Sequence, residues 1–164
     1  PVPTLALIRG YCIGGGLGIA MRCDLRLARD DARFAITPAK LSLGYGYDGV
    51  AQLYHRLGHA VTADVLFSGR KLSAEEAQAK GICDFVYSRD TFDAACAGYV
   101  ATLAGNAPLT IRAGKSALNA LAKPETARDR TATDALVRAC FDSADYAEGQ
   151  RAFAEKRAPR FEGH

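Results

Sequence analysis

The sequence lacks the features that would place the chain in a membrane or on nucleic acid. It contains no tryptophan and no apolar run near the ~20 residues that a membrane-spanning helix needs. Its 21 basic and 18 acidic side chains give a net charge of only +3, and the basic ones are scattered along the chain. We therefore expect neither a membrane span nor a nucleic-acid partner.

Paired cysteines and clustered metal ligands are also missing. The five cysteines form no C-x-x-C pair and leave an odd one over, which predicts a reduced, cytoplasmic protein. His55 and His59 have the spacing of two ligands on a helix, but the sequence shows no third ligand and no H-E-x-x-H arrangement. We interpret them as surface histidines and expect no metal site.

A glycine-rich turn within residues 10–24, GYCIGGGLGIAMRCD, is the most informative stretch. Residues 2–8 form an apolar run typical of a buried strand, and residues 17–21 can form a helix after the three glycines at 14–16. Bare backbone at a helix start leaves N–H groups unpaired and open to close approach. Such a turn can bind a phosphate or an oxyanion, or it can be a tight turn with no ligand.

Two common glycine motifs do not fit this turn. A phosphate-binding P-loop would end in Lys followed by Ser or Thr, whereas Leu17 and Gly18 follow the glycines here. The dinucleotide spacing G-x-G-x-x-G fails because position 19 is isoleucine. Among ligand-binding interpretations, an acyl oxyanion site remains.

The pattern along the chain predicts an α/β part over residues 1–88 and a helical part over residues 89–164. Ser73 and Glu76 have the spacing of a capping box, and Asp48 is expected to cap a helix. Strands are predicted at 2–8, 24–28, 33–36 and 82–87, and helices at 48–57, 60–67, 73–80, 90–103, 109–121, 125–141 and 146–156.

Several stretches carry a family resemblance in consistent order: GYCIGGG, CDLRLA, FAITPAKLSLGY, LFSGRKLSAEEAQAKGI and AFAEKRAPRF. Together they resemble the enoyl-CoA hydratase/isomerase (crotonase) superfamily from residue 1 to residue 164. The resemblance implies a crotonase-type ββα spiral that lacks its N-terminal part, followed by a helical region that builds trimers. We therefore expect a homotrimer or a dimer of trimers.

The resemblance also implies a site. Gly15 matches the position whose backbone N–H holds the thioester oxygen of an acyl-CoA substrate, and the alternative is that Gly15 merely permits the turn. No separate cofactor is expected, because the substrate carries the CoA. Phe153 and Lys156 match positions that contact the CoA adenine and phosphates, and their i, i+3 spacing predicts a shared helix face. The alternative is an apolar residue and a solvated lysine.

Hydratases of the superfamily use two glutamates, and neither is present here. Their positions are held by Gly18 and Pro38, which cannot transfer a proton. Asp24 and Asp48 lie too far along the chain to replace them. Hydration by the usual route is therefore not expected.

The segment from Thr37 to Tyr45 is instead similar to methylmalonyl-CoA decarboxylase, as is the ending FDSADYAEGQRAFAEKRAPRFEGH. In that family the tyrosine matching Tyr45 lies beside the departing carboxylate, although the decarboxylase keeps a glutamate where this chain has Gly18. The resemblance implies decarboxylase-like chemistry through a thioester enolate, with Gly15, Thr37 and Tyr45 in the site. The alternatives are a hydratase or isomerase acting through other residues, a non-catalytic acyl-CoA-binding or assembly subunit, and a purely packing role for Tyr45.

Overall fold

A computed structural model describes residues 1–164 as six strands and seven helices, and none of the helices is long and apolar enough to cross a membrane. The strands are β1 Leu5–Ile8, β2 Tyr11–Ile13, β3 Leu25–Arg29, β4 Arg33–Ala35, β5 Leu72–Ser73 and β6 Phe85–Tyr87. The helices are α1 Gly15–Ala20, α2 Tyr47–Ser68, α3 Ala74–Ala79, α4 Phe92–Gly105, α5 Pro108–Leu121, α6 Arg130–Phe141 and α7 Ala144–Ala154.

The chain divides into two compact units. One is Thr4–Ala97, which contains all six strands, and the other is Gly98–His164 together with Pro1–Pro3. The division falls within α4, whereas the sequence pattern had placed it after residue 88.

Two small sheets form the framework of the α/β unit. In the first sheet β3 lies between β1 and β6 and pairs with both in parallel. In the second, β4 pairs in parallel with β2 and antiparallel with the two-residue strand β5. Parallel strands need crossover connections that cover the sheet faces, which explains why these strands are mostly apolar.

Helix α1 helps to bury the core of this unit. Leu17 and Met21 are separated by one helical turn and are both fully buried, together with Phe34 from β4. The same cluster of buried side chains includes Ile36, Leu53, Val65, Leu72 and Ile82. The glycine turn therefore leads into a helix that is held by apolar burial on one face.

Helix α2 begins earlier than the sequence suggested. Gly46 is its N-cap, so the prediction that Asp48 caps the helix is wrong; Asp48 lies in the first turn, where a carboxylate interacts favourably with the positive helix end. Gly58 has φ 73° and ψ 175°, which breaks the helix between the two predicted segments. The predicted interruption is confirmed.

Helix α3 begins with the predicted capping box. The Glu76 N–H donates to Ser73 Oγ at 3.1 Å, and the Ser73 N–H donates to Glu76 Oε2 at 2.9 Å. Gly81, with φ 74°, follows the end of the helix in the left-handed conformation that favours glycine. The predicted capping box is confirmed.

Several helix boundaries in the helical unit differ from the prediction by two residues or more, among them the start of α6 and both ends of α7. The prediction that a helix starts at residue 125 is wrong, because Glu125–Ala127 forms a 3₁₀ turn. Helix α6 begins after Asp129, whose side chain accepts from the Ala132 N–H at 2.8 Å. The prediction that the last helix extends to residue 156 is also wrong, because α7 ends at Ala154. Asp129 is the N-cap at which α6 begins, and Glu155 is the C-cap at which α7 ends.

Candidate active site

The glycine turn presents exposed backbone at the start of α1. Gly14 has φ 56° and ψ −119°, a conformation open to glycine, and its N–H donates to the Ala35 carbonyl at 2.9 Å. As N-cap of α1 it has no side chain to accept from the first-turn N–H groups. Gly15 is exposed, and a β-carbon there would have no neighbour within 4 Å. No other group therefore lies against the side of Gly15 where a side chain would stand.

Strand pairing brings Thr37 to the same edge as the glycine turn. Strands β2 and β4 run in parallel with Ile13 opposite Ala35, so the segments that follow them leave the sheet at one edge. Thr37 is half-buried there and begins a 3₁₀ turn, its carbonyl accepting from the Lys40 N–H at 3.1 Å. Pro38 follows it and is buried.

Tyr45 lies between α1 and α2. Its hydroxyl oxygen is 3.8 Å from the position that a β-carbon on Gly18 would occupy. Its ring faces the first turn of α2, where a β-carbon on Gly49 would lie only 2.7 Å from Cε1. The rest of the side chain packs against the buried core. The structure therefore brings Tyr45 and Gly18 together.

Gly18 and Pro38, which the resemblance matches to the two hydratase glutamates, have no other titratable side chain in their place. Asp24 does not move into their place, because its carboxylate accepts from the Thr4 N–H at 2.7 Å and from the Thr4 hydroxyl at 2.9 Å. Asp48 is an exposed residue in the first turn of α2. The polar groups that this edge offers are thus backbone N–H groups and the hydroxyls of Tyr45 and Thr37.

Cys12 precedes the turn but is unsuited to act as a nucleophile. It is buried on β2, and burial, with a smaller contribution from Cys83, raises the pKa of the Cys12 thiol to about 11. A thiol with that pKa stays protonated near neutral pH, and the thiolate is the reactive form.

Phe153 and Lys156 belong to the helical unit. Phe153 is 88% exposed on α7 and borders an apolar groove of about 730 Å³ between α5, α6 and α7. Lys156 lies beyond the helix end with φ 55°, and its N–H donates to the Phe153 carbonyl at 3.2 Å. The prediction that the two share a helix face is therefore wrong, because the helix ends before Lys156.

Sequence reasoning missed a pair of arginines at the other end of α1. The buried Arg26 and the more exposed Arg56 both donate to the Cys23 carbonyl, at 3.1 and 3.0 Å. Arg26 also pairs with Asp84, donating to Oδ1 at 2.9 Å. The only sequence signal was an arginine inside an apolar strand, because its partners come from distant segments. The shared acceptor, the Cys23 carbonyl, lies in the turn between the end of α1 and the start of β3.

A family model and several known proteins match this chain. The model described as Enoyl-CoA hydratase/isomerase matches residues 1–164. The chain is 35% identical to (E)-benzylidenesuccinyl-CoA hydratase of Thauera aromatica over 162 residues, which are 98% of this chain and 63% of that protein. It is 32% identical to mitochondrial methylglutaconyl-CoA hydratase of Rattus norvegicus over 167 residues, covering 99% of this chain and 53% of that protein.

Solved structures support the same conclusion about the fold. The crystal structure of an enoyl-CoA hydratase/carnithine racemase from Magnetospirillum magneticum superimposes with a TM-score of 0.92 at 36% identity. The superposition covers 99% of this chain and 60% of that one. The predicted α/β fold of the crotonase type is confirmed, and the chain spans less than two thirds of the length of these relatives.

Proposed function

Because the chain belongs to the enoyl-CoA hydratase/isomerase family, we propose that it acts on an acyl-CoA thioester whose oxygen is stabilised by the Gly15 N–H. Preorganised backbone donors lower the barrier without reorganising during the reaction, by about 3–4 kcal/mol for one donor. The exposure of Gly15 and Gly16 at the start of α1, where no side chain caps the helix, supports this role. CoA enters as part of the substrate, so the proposal needs no separate cofactor.

We further propose that the reaction is decarboxylation of a malonyl-type thioester. In this step the bond between Cα and the carboxylate breaks, its electron pair moves into the thioester enolate, and CO₂ leaves. A proton from solvent then completes the product at Cα. The chemistry needs an oxyanion donor and a pocket for the carboxylate but no general base, which fits the absence of titratable groups at Gly18 and Pro38.

The position of the Tyr45 hydroxyl beside Gly18 is the observation that carries this proposal. The hydroxyl lies next to the first turn of α1, in the space beside the position where the hydratases carry a glutamate. Donating to the substrate carboxylate from there would orient it for departure. Thr37, at the same sheet edge, would line the pocket.

The test is Tyr45→Phe in the full-length protein, assayed with methylmalonyl-CoA. Losing one hydrogen bond to a charged group should cost about 1.5–3 kcal/mol, a roughly ten- to hundredfold slower decarboxylation. Affinity for propionyl-CoA, which lacks the carboxylate, should stay unchanged. Tyr54→Phe is the matched control, because Tyr54 is half-exposed on α2 and contacts His55 and His59. Equal turnover by wild type and Tyr45→Phe would reduce Tyr45 to a packing residue.

Hydration is the second candidate function, because the two curated relatives described above are named as CoA hydratases. It would require residues other than Gly18 and Pro38 to activate water. A non-catalytic acyl-CoA-binding or assembly subunit is the third candidate. Propionyl-CoA binding without turnover of either methylmalonyl-CoA or crotonyl-CoA would favour that third function.

We also propose that Phe153 and Lys156 contact the CoA adenine and phosphates, and that the protein assembles as a trimer or a dimer of trimers. The 88% exposure of the Phe153 ring leaves it free to stack on a base. Exposed apolar side chains on the helical unit support assembly: Leu118, Leu121, Phe141 and Tyr146. Light scattering tests the assembly, and a Phe153→Ala variant should raise KM more than it lowers kcat.

A further inference from the structure

The backbone conformation of Gly49 does not require glycine. It is the third residue of α2, outside the left-handed region, and the Val50 N–H that follows it donates normally to the Gly46 carbonyl at 3.1 Å. In a regular helical turn alanine is the better residue, because glycine has the higher conformational entropy to lose. The reason for glycine at this position must therefore lie in what surrounds it.

The surroundings consist of the Tyr45 ring. A β-carbon on Gly49 would lie 2.7 Å from Cε1, 3.2 Å from Cδ1 and 3.2 Å from Cζ of that ring. The shortest of these is well inside van der Waals contact, so a methyl group and the ring cannot both keep their places. The ring would move, because the helix backbone is held by its hydrogen bonds.

Moving the ring moves the hydroxyl. Rotation about χ2 moves Cε1 but leaves Cζ and Oη in place, because both lie on the rotation axis, and Cζ would remain 3.2 Å from the β-carbon. Relieving that contact as well requires the whole ring to tilt, which displaces Oη from its place beside Gly18. Gly49 and Gly18 thus face the same Tyr45 side chain: Gly49 lies against the ring, and Gly18 lies near the hydroxyl.

We propose that Gly49 is a positioning residue, whose missing side chain seats the Tyr45 ring so that the hydroxyl faces the substrate carboxylate beside α1. This inference rests on the proposed function, in which the Tyr45 hydroxyl contacts the substrate. It assigns a reason for glycine at a helical position that neither helix geometry nor a turn requires.

The experiment combines Gly49→Ala with Tyr45→Phe in the full-length protein and uses methylmalonyl-CoA as substrate. Gly49→Ala should lower kcat by roughly tenfold or more, as loss of the tyrosine contact does, and should leave propionyl-CoA affinity unchanged. The double variant should be no slower than Tyr45→Phe alone, because both changes remove the same contact. Gly98→Ala is the matched control: Gly98 lies exposed within α4, and a β-carbon there meets nothing within 4 Å.

A second measurement does not depend on activity. In a Tyr45→Ala background the ring is gone, so Gly49→Ala should raise Tm through helix propensity. With Tyr45 present the same change should raise Tm less, or lower it, because the ring must move. An equal rise in both backgrounds would overturn the seating of the ring by Gly49.

The outcomes separate this inference from the function on which it rests. If Tyr45→Phe slows decarboxylation while Gly49→Ala does not, the positioning role of Gly49 is wrong and the proposed role of Tyr45 stands. If Tyr45→Phe has no effect, or wild type does not decarboxylate methylmalonyl-CoA, the proposed function is wrong and the positioning role falls with it.

Discussion

The Tyr45 hydroxyl lies 3.8 Å from the point where a β-carbon on Gly18 would stand, so the two positions share one space between α1 and α2. An alanine methyl at position 18 would make an ordinary van der Waals contact with the hydroxyl. A longer side chain would have to extend past it. A carboxylate introduced at position 18 would therefore compete with the phenol for that space.

Hydration of crotonyl-CoA by the full-length protein should be negligible, because Gly18 and Pro38 offer no acid or base. Gly18→Glu alone should not restore it, since position 38 still lacks a proton-transferring group and the new side chain meets Tyr45. Loss of the enoyl-thioester absorbance measures the reaction, and Gly18→Gln is the size-matched control. A wild-type rate typical of hydratases would contradict the assignment of both positions.

Asp84→Ala should destabilise the α/β unit strongly. It removes the carboxylate partner of the Arg26 guanidinium, whose side chain is 4% exposed and which keeps only the Cys23 carbonyl as acceptor, and it removes the Asp84 oxygen that accepts from the Arg26 N–H at 2.7 Å. Leaving a buried charge without its partner costs about 3–5 kcal/mol, measurable by urea unfolding. Asp93→Ala breaks a far more exposed pair with Arg9 and should cost at most about 1 kcal/mol. An equal loss of unfolding free energy in the two variants would show that burial of the ion pair does not determine how much its removal destabilises the protein.

Glu148 should give the helical unit an acid-sensitive contribution to stability. Its carboxylate accepts from Arg157 at 2.6 Å and from the Arg160 N–H at 3.0 Å, and these contacts, with Arg151, lower its pKa from 4.5 to about 2. Because the folded protein has the lower pKa, the contribution is fully present above pH 4.5 and is lost as pH falls toward 2.

The comparison of wild type with Glu148→Gln tests that sign. The difference in their free energies of unfolding should be constant from pH 7 to about 5 and should shrink below the ordinary glutamate pKa. A difference that stays constant down to pH 2 would show that the charge of Glu148 does not matter for these contacts.

Much of the local structure follows from interactions between residues a few positions apart. The capping box of Ser73 and Glu76 needs only its own turn of chain, and it forms as the spacing predicts. The strand, glycine turn and helix around Gly15 are likewise encoded within one stretch. Helix starts were less predictable. Gly46, and not the nearby Asp48, is the N-cap of α2, and α6 starts after its N-cap Asp129 rather than at residue 125.

The arrangement of the candidate site depends on contacts between segments that are distant in sequence. The sequence by itself determined that residues 18 and 38 carry no acid or base, and the resemblance singled out Tyr45. Only the packing of α1 beside α2 decided that the Tyr45 hydroxyl faces Gly18 and that its ring lies against Gly49. The Arg26–Asp84 pair has the same origin. Neighbouring residues can predict a turn or a cap, but such contacts arise when buried faces of separate elements meet, and no local pattern records which faces those are.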